Sequence, residues 1–237
     1  MKMSNTTETA DKLWHIDQFQ ILKALSMKEK MNLQELMCMT EYQKGDEVYL
    51  PSQDVEEIYF LKKGHIKISK IYEEGHEQVL EVIGKGELFG KYLPGDELAN
   101  ANEKAVALDD CVLCYLDTKK WNDFITSNSS FSLNVLKIVG LKFKKLESRL
   151  EDLQFKNAEA RIATVILNLT EKFGRKIGVG FETELKLNLT HQDLAKLSGT
   201  TRQTVTTYLR SLEKQNLISY DRRRILIKDM EKLESLT

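Results

Sequence analysis

The sequence predicts an α+β chain: an antiparallel β sandwich or barrel, then a long helix, then a winged helix-turn-helix. Three observations predict it. Short alternating apolar runs separated by glycine-bearing turns occupy Met37 to Phe124, a heptad pattern follows from about Ser129 to Lys156, and a helix–glycine–helix–ribbon pattern runs from Leu189 to Ile227. The boundaries this implies are 1–36 for an N-terminal helical segment, 37–127 for the β-domain, 128–156 for the long helix and 157–237 for the winged helix.

The β-domain is read from runs such as Glu47-Val-Tyr-Leu, Glu57-Ile-Tyr-Phe-Leu, His65-Ile-Lys-Ile-Ser, Gln78-Val-Leu-Glu-Val-Ile and Cys111-Val-Leu-Cys-Tyr-Leu. Lys44-Gly-Asp, Lys63-Gly, Glu74-Gly, Gly84-Lys-Gly and Pro94-Gly-Asp punctuate them. Strands recurring about every ten residues fit an antiparallel sandwich or barrel better than a parallel sheet. Ahead of them Ile21, Leu22, Leu25, Met31 and Leu33 have helical spacing, predicting short helices after a frayed start.

In the long helix Leu136, Phe143, Leu150 and Asn157 take one heptad position, and Val139, Leu146 and Leu153 the other. Such 3-4 spacing makes a coiled-coil seam, here expected in a parallel dimer with Leu136, Val139, Phe143, Leu146, Leu150 and Leu153 at the interface. An amphipathic helix lying on its own sheet is the alternative, but the stripe extends farther than one small barrel requires. Lys142, Lys144, Lys145, Glu147, Arg149, Glu151 and Asp152 read as solvent-facing charges. Asn157 fits either a register-fixing core position or the cap of a new helix at Ala158; the cap is favoured, with a hinge near Phe155 to Ala158.

Thr190 can cap a short helix with Asp193 at its third position, and Gly199 breaks that helix where the chain must turn sharply. Thr201 caps the second helix, which Val205, Leu209 and Leu212 hold against the first. Its outward side shows Thr201, Arg202, Gln203, Thr206, Thr207 and Arg210 and no acid. A surface helix normally mixes both signs, whereas a groove-reading helix needs hydrogen-bonding side chains and no repulsion from phosphates. Arg202 suits guanine and Gln203 adenine, while Thr201, Thr207 and Arg210 suit phosphates. Two β-prone runs then flank Arg222, Arg223 and Arg224, a wing supplying salt-dependent backbone contact.

Composition fits a local basic patch. Lys plus Arg (35) nearly balances Asp plus Glu (36) among 237 residues, which argues against non-specific adhesion to nucleic acid or anionic membrane. With 41% hydrophobic and 30% charged residues, no signal-peptide pattern and no apolar run near the ~18 residues of a span, a cytoplasmic protein with no membrane contact is expected. Cys38, Cys111 and Cys114 make no disulfide framework. Cys111-x-x-Cys114 has metal-like spacing, but i and i+3 of a strand face opposite ways. One is expected in the core and the other partly exposed, with no metal site. His15, His65, His76 and His191 are scattered. A cupin enzyme would need several converging His and carboxylate ligands, and none is seen; no catalytic residue is assigned.

The order of elements, with Arg202-Gln-Thr-Val, Glu213-Lys-Gln-Asn-Leu-Ile, Ile58-Tyr-Phe-Leu-Lys-Lys-Gly-His-Ile-Lys-Ile and Gly84-Lys-Gly-Glu-Leu-Phe-Gly, closely resembles the bacterial cyclic-AMP receptor protein and fumarate–nitrate regulator (CRP/FNR) family over about Met37 to Ile227. The resemblance implies a jelly-roll β-domain of the cyclic-nucleotide-binding type, a transcription regulator acting as a homodimer on near-palindromic double-stranded DNA, and RNA polymerase as a partner. It would place an effector near Gly86, Glu87, Phe89, Gly90, Lys91 and Lys104. In nucleotide-binding relatives the Phe-Gly is followed by Glu and then by an Arg-Ser or Arg-Thr pair. Here Phe89-Gly90 precedes Lys91, and Glu97 to Ala105 contains no arginine. Lysine gives a point charge without the bidentate fork, so cyclic AMP is not expected to bind in the usual geometry and the effector is left open. No cofactor is expected; an N-terminal iron–sulfur cluster lacks its cysteines. A regulatory module whose helical tail binds a protein is the alternative to DNA binding.

Overall fold

The computed structural model describes residues 19–51, 56–91, 102–178, 182–221 and 224–237. After a single tight turn at Gln20–Ala24, helix α1 (Met27–Leu36) starts from a capping box. Ser26 Oγ accepts from the Glu29 amide, and the Glu29 carboxylate accepts from the Ser26 amide at 2.7 Å.

Eight strands follow: β1 (Cys38–Tyr42), β2 (Glu47–Tyr49), β3 (Glu57–Lys63), β4 (Ile66–Ile71), β5 (Glu77–Ile83), β6 (Leu88–Gly90), β7 (Glu103–Ala107) and β8 (Cys111–Asp117). They form two four-stranded sheets, ordered β1-β8-β3-β6 and β2-β7-β4-β5. The pairs in the first are antiparallel, with Tyr59 opposite both Tyr115 and Phe89. Alternation along β3 sorts its side chains. Ile58 and Phe60 enter a core with Leu22, Leu88, Trp121 and Phe131, while Tyr59 stacks on Phe89 at 5.0 Å and lies 6.0 Å from Tyr49 of β2. Gly64, at φ +90°, closes the β3–β4 turn; a Cβ there would lie 2.5 Å from Cys111 Sγ, so no side chain fits.

The structure departs from two expectations. The strand region ends before Phe124, because α2 (Thr118–Ser127) starts where Asp117 accepts from the Lys119 and Lys120 amides. Trp121 and Phe124, one helical turn apart, carry its buried face. Secondly, Cys111 and Cys114 do face opposite ways, but both are buried, since β8 is covered on both sides. Burial and the Asp109 carboxylate push the Cys111 thiol up to about 12. Only Cys38 is exposed, so a disulfide-exchange reagent should label one thiol of native protein quickly and the other two only after denaturation. Two or more fast thiols would contradict this packing.

Helix α3 (Ser129–Phe155) and helix α4 (Ala158–Phe173) are separated at Lys156–Asn157. Asn157 is a cap: its Oδ1 accepts from the Ala160 amide at 2.9 Å. Along α3, Leu136 (65% exposed), Phe143 (61%) and Leu150 (59%) stand open to solvent together with Val139, Leu146 and Leu153. After α4 come β9 (Arg175–Lys176), β10 (Thr183–Lys186), α5 (His191–Ser198), α6 (Arg202–Lys214), β11 (Ile218–Asp221), β12 (Arg224–Ile227) and α7 (Met230–Glu234). Their strands make a third sheet in the order β11-β12-β10-β9. The chain forms two compact units: residues up to Lys67 with Val82–Phe143, and Ile68–Glu81 with Lys144–Thr237.

Candidate nucleic-acid interface

The interface is built on α5 and α6. Thr190 starts α5 with a capping box: its Oγ1 accepts from the Asp193 amide, and the Asp193 carboxylate accepts from the Thr190 amide at 2.8 Å. Gly199 ends α5 in the left-handed region at φ +62°, ψ +45°. A side chain there would be strained by its backbone and would meet Leu153 Cδ2 at 2.9 Å. Thr201 then accepts from the Thr204 amide to start α6. Ala195, Val205, Leu209 and Leu212 are buried between the two helices and their support.

The carbonyls at the end of α5 have no following helical turn to bond them, and two arginines take their place. Arg161 of α4 donates to Ser198 O at 2.9 Å and Gly199 O at 3.1 Å. Arg149 of α3 donates to Leu197 O at 3.0 Å and Lys196 O at 3.4 Å, and also to Leu80 O at 3.0 Å and Val79 O at 3.3 Å of β5. Arg149 is therefore half-buried, not one of the solvent-facing charges expected of α3, and burial pulls its guanidinium below the ordinary value. Lys196 adds an ion pair to Glu77 at 2.5 Å. Sequence reasoning missed both arginines. Heptad spacing treats every position off the seam as solvent, and no local pattern marks an arginine whose partners are carbonyls nearly fifty residues away.

On α6 the structure places Arg202, Gln203, Thr207 and Arg210 in solvent, with no acid in the first turn. Thr201 is exposed as well, though its hydroxyl is engaged at the cap. Thr206 differs. Its hydroxyl donates to Arg202 O at 2.8 Å and also meets His191 Nδ1 at 2.9 Å, so it faces inward. Of the wing, Arg222 and Arg223 lie outside the described residues. Arg224 is exposed at the start of β12 and pairs with Glu184 and Asp221, each at 3.2 Å. His191, absent from the sequence-based set, stands where α5, α6 and β11 meet, its ring 5.6 Å from that of Tyr220. Behind it lies a cavity of about 310 Å³ lined largely by leucines, with Tyr220, Asp221 and Arg224 on its wall.

The β-domain residues are each held by local partners. Glu87 accepts from the Gly84 amide at 2.6 Å, closing the turn that holds Gly86 at φ +87°. Phe89 and Gly90 belong to β6, in a different sheet from Lys104 of β7. Lys91 is buried and bonds Glu56 at 2.9 Å, and Lys104 bonds Glu47 at 2.5 Å. Among the described residues no group of three or more His, Cys, Asp or Glu is placed to hold a metal, and no helix is long and apolar enough to cross a membrane.

Two protein families match the chain: a cyclic nucleotide-binding domain over residues 39–128 and a Crp-like helix-turn-helix domain over 160–236. The global nitrogen regulator of Nostoc sp. is 27% identical over 78% of this chain and 83% of its own length. The fumarate and nitrate reduction regulatory protein of Yersinia pestis is 27% identical over 82% and 76%. The CRP-like cAMP-activated global transcriptional regulator of Mycobacterium tuberculosis is 24% identical over 81% and 85%. Among solved structures, a CooA variant from Carboxydothermus hydrogenoformans superposes with a TM-score of 0.69 at 25% identity, covering 86% of this chain and 89% of that one. FixK2 from Bradyrhizobium japonicum, at 19% identity, shares the fold with a TM-score of 0.72 over 84% and 96%. A β-rich domain of the cyclic-nucleotide-binding type, a long helix and a Crp-like helix-turn-helix domain, with these relatives on both halves, make the chain a member of the CRP/FNR family of DNA-binding transcription regulators.

Proposed function

We propose that the protein works as a homodimer joined along α3, reading a near-palindromic operator with one α6 in each half-site. The observation that carries the DNA contact is the outward side of α6: Arg202, Gln203, Thr207 and Arg210 exposed together, with no acid in the first turn. Arg202 and Gln203 read base edges. Thr201, Thr207, Arg210 and the wing arginines Arg222, Arg223 and Arg224 hold the backbone, and Thr206 supports the reader through Arg202 O and His191. Two-fold readers of this kind space their half-sites by about one DNA turn, ~34 Å. RNA polymerase is the protein partner, and the cytoplasm the location; three free cysteines suit a reducing compartment.

The β-domain is regulatory in this reading, and its effector is not cyclic AMP held in the usual geometry. The cations available near the cassette, Lys91 and Lys104, already answer Glu56 and Glu47. Selection of duplexes from a random pool with purified protein, in defined salt, tests the DNA reading. Arg202→Ala should weaken selected sites by about 1–3 kcal/mol and relax one base position, whereas Arg223→Ala should weaken every sequence alike. Indistinguishable effects of the two substitutions would remove the division between base and backbone readers.

A further inference from the structure

His191 has one nitrogen committed and one open. The Thr206 hydroxyl has a single proton, and it goes to Arg202 O at 2.8 Å. With the hydroxyl proton on Arg202 O, the 2.9 Å contact between Thr206 Oγ1 and His191 Nδ1 is donated by the ring. This arrangement corresponds to the neutral tautomer in which Nδ1 carries hydrogen and Nε2 carries only a lone pair. Among the described residues nothing bonds Nε2, and the ring is half-exposed between α6 and the wing strand β11.

A neutral ring in this tautomer offers only an acceptor at Nε2, and a phosphate oxygen is also an acceptor. The two repel. Protonation converts Nε2 into a charged donor and makes the same position attractive to phosphate, without disturbing the bond to Thr206.

We propose that His191 is a DNA-backbone ligand whose phosphate contact is made by the imidazolium alone, so operator affinity rises as pH falls through the neutral range. The inference rests on the DNA-binding reading above. The charged and titratable groups around the ring fit it. From α6 come Arg202 and Arg210, from β11 Tyr220 and Asp221, from β12 Arg224, and from its own helix Asp193. Asp193 is engaged in the Thr190 cap, and Asp221 pairs with Arg224 at 3.2 Å. Burial first, then Arg202 and Arg210, hold the His191 imidazole below the ordinary histidine value. The free protein therefore carries it neutral at pH 7. Bound phosphate favours the charged form, so binding takes up a proton wherever the pH lies between the values of the free and bound states.

The test is operator affinity at pH 6 and pH 8, at constant ionic strength, with a duplex the protein itself selects from a random pool. Wild type should bind about tenfold tighter per protomer at pH 6, or about a hundredfold as a dimer. H191Q should lose that pH dependence and bind equally at both pH values, and H191R should bind tightly at both. If H191Q fails to fold, judged by its far-ultraviolet circular dichroism, proton-resonance titration of the wild-type ring decides: its midpoint should rise when DNA is added. An equal pH slope in wild type and H191Q, or a ring titration that DNA leaves unmoved, overturns the role of His191 and leaves the DNA reading intact. Absence of a selected duplex at either pH overturns that reading itself, and this inference with it.

Discussion

Replacing Leu146 and Leu150 together by glutamate should convert the protein to a folded monomer and lower its operator affinity by about 10²- to 10⁴-fold. Both side chains are more than half exposed in the single chain, on the same stripe of α3 as Leu136, Val139, Phe143 and Leu153. Burying one leucine stabilises by about 1.5–3 kcal/mol. A symmetric seam buries four at these two positions, a total on the order of 6–12 kcal/mol, and glutamates facing glutamates add repulsion. The affinity loss follows because a dimer engages its second half-site at high effective concentration, an advantage of about 10²–10⁴ that a monomer lacks. Sedimentation velocity reads the mass and gel mobility with the selected duplex reads the affinity. The folded chain should survive, since neither leucine belongs to the buried core. A variant that stays dimeric would move the interface away from α3.

The second large effect is expected at Arg149. Changing it to methionine keeps an unbranched stem but removes the guanidinium donors to the carbonyls of Val79, Leu80, Lys196 and Leu197, leaving Gln78 Nε2 on Val79 O and Lys196 O. Hydrogen bonds to a charged donor contribute about 1.5–3 kcal/mol each, less where water can replace them. With the site half-buried, urea unfolding should show a loss of about 3 kcal/mol for the unit containing α5. Arg149→Lys should recover only part of it, because an ammonium does not reproduce the planar fork that reaches two backbones at once. Full stability in Arg149→Met would mean that water serves these carbonyls equally well.

Much of this architecture was legible in the sequence, for reasons that differ by element. The α5–α6 pair reads clearly because its constraints are local. The Thr190–Asp193 box, the left-handed Gly199 and the Thr201 cap each act within four residues, so a short window contains cause and effect. The heptad of α3 is legible for a related reason: its exposed leucines repeat at a spacing that only a helix places on one side. Two kinds of feature were hidden. Helix α2 follows β8 without a glycine or proline, so only the Asp117 cap marks the change of period. Arg149 and His191 have partners far along the chain, and spacing alone cannot show that an arginine will meet carbonyls or that an imidazole will meet a threonine hydroxyl. Both cysteines of β8 were buried for the same reason, since burial on a strand's second side depends on elements distant in sequence.

The pairing of Lys91 with Glu56, and of Lys104 with Glu47, has a consequence for anything negatively charged that approaches the β-domain. Neither ammonium is a vacancy waiting for a guest. An incoming anion has to share each ammonium with the carboxylate already there or evict it, so recognition at this place becomes a contest between two tenants. The free energy of an eviction is the difference between two ion pairs and is correspondingly small. The evicted Glu56 or Glu47 must then find water or a new partner. Discrimination among anions would rest less on how strongly lysine attracts charge than on where the displaced carboxylate can go.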